Sequence, residues 1–187
     1  MIKAIITDFD GTLADTFEAN LKAYRCAFEE VGLFLSEEKY LQCFGLRYDS
    51  FMAAMGITDA EIANRIKETK KRYYPDFFQY IRPNKALIEL ISSFKAMGWK
   101  TAVASTARKE NLMNVINYFG IADCFNLIYA GNDVKEGKPS PEIYIKTMNA
   151  LNSIPENTLI FEDSEVGIRA AKASGAHCMI IPNSQFK

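Results

Sequence analysis

The segment IKAIITDFDGT, residues 2–12, decides the fold class of this chain. Its first half, Ile2–Thr7, is a short and nearly continuous apolar run, which is typical of a strand buried on both faces of a parallel sheet. Its second half carries the carboxylates of Asp8 and Asp10 and an Asp-Gly turn signal. The segment therefore predicts a buried strand that ends in polar residues.

Four further strands are predicted after residue 83, and helical patterns separate them. These strands are Lys100–Ala104, Phe125–Ala130, Thr158–Phe161 and Cys178–Ile181. Between them, apolar residues recur at helical spacing, and Gly98 and Gly120 predict the ends of two helices. Ser140 and Pro141 are typical of a helix start. Five strands linked by helices indicate an α/β fold with a doubly wound, Rossmann-like parallel sheet.

An all-helical segment, residues 16–80, interrupts this alternation after the first strand. We therefore expect two domains: an α/β core of residues 1–15 and 81–187, and an inserted α-helical cap of residues 16–80. An insertion at this point of a parallel sheet overhangs the carboxyl ends of the strands, where such sheets bind ligands.

Two local patterns stand out in the helical segment. Thr58 and Glu61 form a T-x-x-E pattern, which predicts the capping box of a helix that ends near Pro75. Basic residues cluster in the same helix, and we interpret them as a solvated face; the alternative is a surface that draws an anionic substrate toward a cleft. They are Lys67, Lys70, Lys71 and Arg72.

The composition excludes several classes of partner. The formal net charge is −1, so the chain has no global basic field for nucleic acid or a membrane surface. No apolar run approaches the ~18–20 residues of a membrane span. The N-terminus lacks the three-part pattern of a signal peptide. We expect a cytoplasmic protein.

The cysteines do not predict a metal site or disulfides. Cys26, Cys43, Cys124 and Cys178 lack CxxC spacing, and His177 alone cannot complete a zinc site with them. We expect buried, reduced thiols and a structural role for the histidine.

Polar residues follow four of the predicted strands. They are Asp8 and Asp10 after the first, Ser105 and Thr106 after the second, Lys138 in the loop after the third, and Glu162 and Asp163 after the fourth. The carboxyl ends of parallel strands meet at one edge, so these side chains should converge. Carboxylates so crowded are unfavourable unless a cation neutralises them, and all-oxygen ligands favour Mg²⁺. Lys138 and Ser105 suit phosphoryl oxygens, which indicates a metal-assisted phosphoryl site.

These motifs also resemble those of a known family. The segments DFDGTLADT, VAST, GKPSPEIY and FEDSEVGI, in this order, are similar to the motifs of the haloacid dehalogenase superfamily. The resemblance is narrower to its branch with a small helical cap, which includes β-phosphoglucomutase and phosphoglycolate-phosphatase-like enzymes. It spans residues 1–181.

The resemblance implies a role for each core residue. Asp8 would attack phosphorus and form an aspartyl-phosphate, and Asp10 would act as the general acid and then the general base. Mg²⁺ would be held by Asp8, the backbone carbonyl of Asp10 and Asp163, with Glu162 in direct or indirect support. Ser105 would hydrogen-bond the phosphoryl group, and Lys138 would pair with its charge and orient Asp8.

Asp10 also selects among the branches of the superfamily. The dehalogenases lack a second aspartate there, and the phosphonatases carry a small residue there. The resemblance therefore implies chemistry on a phosphate ester or anhydride of a small phosphorylated metabolite. Candidate residues for substrate binding are Thr106, Asn20, Arg47 and Arg108.

Asn20 separates two hypotheses within this chemistry. Sequences similar to β-phosphoglucomutase usually have a histidine at this position, and asparagine cannot act as a proton-gating imidazole. This favours a phosphatase, in which water attacks the aspartyl-phosphate, over a sugar phosphomutase. A third hypothesis is a non-catalytic module that binds a phosphorylated ligand or a protein.

The end of the chain gives a last expectation. Relatives usually continue past the fifth strand, whereas here six residues follow Ile181. We expect either an exposed sheet edge or an edge covered by oligomerisation, and the chain as a monomer or homodimer.

Overall fold

The computed structural model describes residues 1–182 and 186. It divides into two compact units. The sheet unit is made of residues 1–15 and 83–187, and the helical unit is made of residues 16–82. Each unit has its own apolar core.

The sheet unit contains a parallel sheet whose order confirms the predicted fold class. The strands in the described part of the chain are β1 (Ala4–Thr7), β2 (Ala14–Asp15), β3 (Arg82–Pro83), β4 (Lys100–Ala104), β5 (Leu127–Tyr129), β6 (Thr158–Glu162) and β7 (His177–Ile180). Five of them pair in the order β5-β4-β1-β6-β7, and all pairs are parallel. β2 and β3 are two-residue strands outside this sheet. The chain thus winds to one side of β1 and then to the other, as a doubly wound sheet does.

β1 lies at the centre of the sheet. All of its residues are buried, and Ile6 is in register with Ala102 on one side and Ile160 on the other. This explains why its sequence is apolar without alternation: both of its faces are covered. The strand starts two residues later than the predicted Ile2, at Ala4, where the paired register begins.

Eight helices belong to the described residues. Those of the helical unit are α1 (Phe17–Glu29), α2 (Glu37–Cys43), α3 (Tyr48–Ala54) and α4 (Ala60–Tyr73), and a 3₁₀ helix, Tyr74–Tyr80, follows α4. Those of the sheet unit are α5 (Lys85–Ala96), α6 (Lys109–Phe119), α7 (Glu142–Ala150) and α8 (Glu165–Ala173). None of the helices among residues 1–182 has the length and hydrophobicity needed to cross a bilayer.

An aromatic cluster forms the core of the helical unit. The ring of Tyr40 lies 5.3 Å from that of Phe17, 5.7 Å from those of Tyr24 and Phe51, and 6.0 Å from that of Phe44. Tilted and edge-to-face pairs at these distances are the favoured aromatic geometries. The cluster joins α1, α2 and α3 without any strand, as the sequence predicted for this segment.

The start of α4 differs from the predicted capping box. α4 begins at Ala60, and Asp59 is its N-cap: the Asp59 carboxylate accepts hydrogen bonds from the backbone N–H of Glu61 at 2.8 Å and of Ile62 at 3.0 Å. Thr58 lies outside the helix, so the predicted pairing with Glu61 is wrong. The N–H groups of the first helical turn have no acceptor within the helix. The Asp59 carboxylate supplies an acceptor to two of them, as an N-cap side chain does.

Two further expectations about local structure are corrected. α7 begins at Glu142 with Pro141 as its N-cap, so Ser140 lies one residue before the cap position, although its hydroxyl accepts the N–H of Glu142 at 3.4 Å. Lys70 does not lie on a solvated face. It is only 4% exposed, and its ammonium lies 3.5 Å from the ring centre of Tyr74 and 5.3 Å from that of Tyr24. Aromatic faces attract a cation, which makes this burial tolerable.

The cysteines are free, as predicted, but their burial differs. Cys43 is buried, whereas Cys26, Cys124 and Cys178 are half-buried. The exposed His177 opens β7, and its Nε2 lies 3.3 Å from the carbonyl oxygen of Glu156. Of the described strands, β7 forms one edge of the sheet.

Asp59→Ala should lower the free energy of unfolding of the helical unit by about 1 kcal/mol, because two N–H groups of α4 lose their acceptor. Urea titration followed by circular dichroism measures the change. Thr58→Ala is the matched control and should change stability by less than about 0.5 kcal/mol. A larger loss of stability in Thr58→Ala than in Asp59→Ala would contradict the assignment of Asp59 as the cap.

Candidate active site

The predicted polar clusters converge at one edge of the sheet, within the sheet unit. Asp8 follows β1, Ser105 follows β4, and Glu162 ends β6. These three strands are neighbours and parallel, so their carboxyl ends meet. β1 is also where the winding of the sheet reverses, which is where doubly wound folds form a crevice.

Lys138 joins two of these strand ends. Its Nζ donates to Oδ1 of Asp8 at 2.5 Å and to Oε1 of Glu162 at 2.6 Å. All three side chains are buried. The peptide bond between Lys138 and Pro139 is cis. A buried ion pair of this kind tolerates no loss of one partner, because the remaining charge would be left without compensation.

The Glu162 carboxylate is saturated by donors of the protein. Besides Lys138, its Oε1 accepts the hydroxyl of Tyr144 at 2.7 Å. Its Oε2 accepts the backbone N–H of Asp163 at 3.0 Å, and both the N–H and the hydroxyl of Ser164 at 3.2 Å. A carboxylate with so many donors is held in one orientation. The geometry favours the supporting role that the sequence left open for Glu162 over direct coordination of a metal.

Asp163 is held by the motif that follows β1. The hydroxyl of Thr12 donates to its Oδ1 at 2.8 Å. Gly11 has φ +94°, and a Cβ there would lie 2.2 Å from Oδ2 of Asp163. Only glycine therefore fits, both for its conformation and for the approach of the carboxylate.

Asp10 and Ser105 also come together. The hydroxyl of Ser105 lies 3.5 Å from Oδ2 of Asp10 and accepts the backbone N–H of Ala107 at 3.0 Å. The loop after β4 packs closely on a second loop, since a Cβ on Gly131 would lie 2.4 Å from the carbonyl oxygen of Thr106. The structure thus fixes the loop that carries Ser105.

Burial and charge pairing act in opposite directions on the titratable groups of the site. It raises the pKa of Asp8 well above the ordinary value, although Lys138 lowers that pKa in part. Burial likewise raises the pKa of Asp163 to about 6. Burial alone would lower the pKa of Lys138, but Asp8 and Glu162 outweigh it and hold that pKa well above the ordinary value.

The cluster of carboxylates suits a cation, with Glu162 as its supporting member. Asp8, Glu162 and Asp163 each offer an oxygen, and these oxygens lie within 4.8 Å of one another. One lysine cannot neutralise three carboxylates, two of them buried and one half-buried, and a set of oxygen ligands without cysteine or histidine fits a hard divalent ion. The donor set therefore fits the Mg²⁺ expected from the sequence. The expected contribution of Asp10 is its backbone carbonyl, which is not a member of this side-chain cluster and stays a prediction.

The candidate substrate-binding residues fall in both units. In the sheet unit, Thr106 lies in the loop after β4 and Arg108 is the N-cap of α6; both are half-buried. In the helical unit, Asn20 is buried and donates through Nδ2 to the carbonyl oxygen of Thr16 at 3.1 Å. Nε of Arg47 lies 3.9 Å from Oδ2 of Asp49. Their contact with substrate stays a prediction.

Sequence reasoning missed two side chains of the site. Thr12 and Tyr144 were both quoted within motifs, but neither was given a role. Both are fully buried, and each hydroxyl donates to a carboxylate of the site. The signal for Thr12 was its place beside Asp10 and Gly11. Tyr144 falls on the inward face of an ordinary amphipathic helix, where an apolar core residue is the default expectation.

Comparison with known proteins agrees with the motifs. A family profile described as haloacid dehalogenase-like hydrolase matches residues 5–181. The chain is 31% identical over 180 residues to a phosphorylated carbohydrates phosphatase of Thermotoga maritima, covering 93% of this chain and 82% of the relative. This chain belongs to the haloacid dehalogenase-like hydrolase family, as the motifs predicted, and it is an enzyme of that family.

Solved structures give the same result for the fold. The crystal structure of CbbY from Rhodobacter sphaeroides in complex with phosphate matches with a TM-score of 0.86 at 31% identity, over 97% of this chain and 87% of that one. A β-phosphoglucomutase from Clostridium difficile matches with a TM-score of 0.85 at 26% identity, over 100% of this chain and 87% of that one.

Lys138→Met should lower the free energy of unfolding by about 3–5 kcal/mol, because Asp8 and Glu162 would stay buried without their cation. Urea titration in buffer with a chelator measures this without a bound metal. Lys135→Met, an exposed lysine of the same loop, is the control and should change stability by less than about 0.5 kcal/mol. Wild-type stability of the Lys138 variant would refute the ion-pair argument.

Proposed function

We propose that this protein is a Mg²⁺-dependent phosphatase that hydrolyses a small phosphorylated metabolite through an aspartyl-phosphate on Asp8. The observation that carries the proposal is the buried Lys138 ammonium, 2.5 Å from Asp8 and 2.6 Å from Glu162, two members of a carboxylate cluster. A nucleophilic carboxylate needs a cation beside it to approach an anionic phosphoryl group. Membership of a hydrolase family supports this choice.

In the first step, an oxygen of Asp8 attacks phosphorus and the bond from phosphorus to the leaving oxygen breaks. Asp10, two residues along the same turn, gives its proton to that leaving oxygen. The product is an aspartyl-phosphate and a free alcohol. The hydroxyl of Ser105, 3.5 Å from Asp10, is the proposed donor to the phosphoryl oxygens.

In the second step, Asp10 takes a proton from water, and the resulting hydroxide attacks phosphorus. The bond between phosphorus and Asp8 breaks, which releases inorganic phosphate and restores the carboxylate. Lys138 stabilises the charge in both steps and orients Asp8. Mg²⁺, held by Asp8, Asp163 and the Asp10 carbonyl, would supply additional positive charge at the phosphoryl oxygens.

The residues proposed for substrate recognition are those predicted from the sequence. Thr106 and Arg108 in the sheet unit, and Asn20 and Arg47 in the helical unit, are the candidates to contact the part of the substrate that does not react. In this proposal, residues 16–82 form the cap domain. The name of the Thermotoga maritima relative favours a phosphorylated carbohydrate as the first class of substrate to screen.

Asp8→Asn should abolish the Mg²⁺-dependent release of phosphate from an aryl phosphate, with a loss of at least about 10³-fold in kcat, because the amide is a poor nucleophile. Asp123→Asn, an exposed carboxylate of the sheet unit, is the control and should keep wild-type activity. A chelator should stop the wild-type reaction. Wild-type turnover by Asp8→Asn would sink the nucleophile assignment.

A sugar phosphomutase is the second candidate, since the chain is similar to a β-phosphoglucomutase structure. Asn20, in place of the histidine of such enzymes, favours the phosphatase. Incubation with a sugar 1-phosphate and Mg²⁺, followed by phosphorus NMR, should show free phosphate. Formation of an isomeric sugar phosphate without free phosphate would replace the phosphatase proposal with the mutase.

A further inference from the structure

Tyr144 lies beneath the site without a role in the proposed reaction. It belongs to α7 and is fully buried. Its hydroxyl donates to Oε1 of Glu162 at 2.7 Å, and Nζ of Lys138 lies 4.9 Å from the centre of its ring. A buried tyrosine thus contacts both the ammonium and the carboxylate that holds this ammonium.

The contact is placed where it can fix the position of Lys138. The other oxygen of Glu162, Oε2, is anchored by Asp163 and Ser164. Among the described residues, Oε1 accepts the Lys138 ammonium and the Tyr144 hydroxyl. Without the Tyr144 hydroxyl, Oε1 of Glu162 would lose one of its two donors. The carboxylate could then shift toward the Lys138 ammonium.

The packing around Oε1 leaves little space for another donor. A Cβ on Gly167, in the first turn of α8, would lie 1.8 Å from Oε1 of Glu162. The hydroxyl of Tyr144 and the absence of a side chain at Gly167 therefore set the place of this oxygen together. One fixes it by a hydrogen bond, and the other provides the space it occupies.

The geometry points to Tyr144 as a positioning residue of the reaction, which acts through Glu162 to hold the Lys138 ammonium against Asp8. This inference rests on the proposed function. The 2.5 Å contact between Lys138 and Asp8 is the contact that a shift of Glu162 would lengthen. Charge stabilisation during the attack depends steeply on this position, so the loss falls on kcat. The polar contacts of Tyr144 among the described residues are with Glu162 and Lys138, which act on the phosphoryl group, so KM is expected to be preserved.

The test compares two variants that each lose one buried hydroxyl of α7. Tyr144→Phe removes the hydrogen bond to Glu162 and keeps the ring. Thr147→Val removes the bond from the Thr147 hydroxyl to the carbonyl oxygen of Ile143, which is 2.6 Å long. Both residues are fully buried, so purely structural effects should be similar.

The expected result is a split between these variants. Tyr144→Phe should lower kcat for an aryl phosphate about tenfold with KM unchanged, the rate equivalent of one hydrogen bond to a charged group. Thr147→Val should keep the wild-type kcat. Wild-type kcat in Tyr144→Phe would overturn the inference, and so would equal losses of kcat in the two variants.

A second variant disturbs the same carboxylate from the other side. Gly167→Ala should reproduce the signature of Tyr144→Phe, a lower kcat with KM unchanged, because its methyl group displaces Oε1 of Glu162. Glu162→Gln supplies the background for a double-mutant cycle: Tyr144→Phe should have less than a twofold effect in it, since the residue acts through Glu162. A full tenfold effect in that background would overturn the inference.

Failure of this inference differs from failure of the proposed function. A wild-type protein that releases no phosphate from an aryl phosphate or from phosphorylated carbohydrates would overturn both. If Asp8→Asn abolishes the activity and Tyr144→Phe leaves it intact, only the role of Tyr144 is overturned.

Discussion

The contact between the buried ammonium of Lys138 and the carboxylates of Asp8 and Glu162 is the interaction on which the site depends. It connects the ends of β1 and β6 to the loop that precedes α7. Burying three charged groups is unfavourable unless each has partners, so the surroundings are arranged to supply them. Tyr144 and Ser164 complete the partners of Glu162.

The same constraint explains the small residues of the motifs. Gly11 and Gly167 lie where a Cβ would collide with the carboxylates of Asp163 and Glu162, respectively. These glycines allow the carboxylates to be brought into one small volume. Their crowding raises the pKa of Asp8, with burial as the largest cause, and creates the excess of negative charge that a divalent cation would relieve. Close packing and metal affinity are thus two consequences of one arrangement.

Local sequence patterns predicted the elements better than their ends. The apolar run before Asp8 predicted the central strand correctly. A strand that is buried on both faces has a nearly continuous apolar sequence without alternation. The start of α4 was misplaced because Thr58 and Asp59 are both good caps, and only the backbone decides which one precedes the first turn. The predicted exposure of Lys70 was wrong because the rings of Tyr24 and Tyr74 cover its ammonium. The helical pattern of the sequence does not show that these two rings lie together.

By itself, the sequence determined the fold class, the family and the convergence of the strand-end residues, since parallel strands must place their carboxyl ends at one edge. Only the tertiary structure decided how the charges are shared. It turned both oxygens of Glu162 toward protein donors, and it placed Tyr144 under Lys138. Such choices depend on distances of a few tenths of an ångström between residues far apart in the chain, and the order of residues along the chain does not contain these distances.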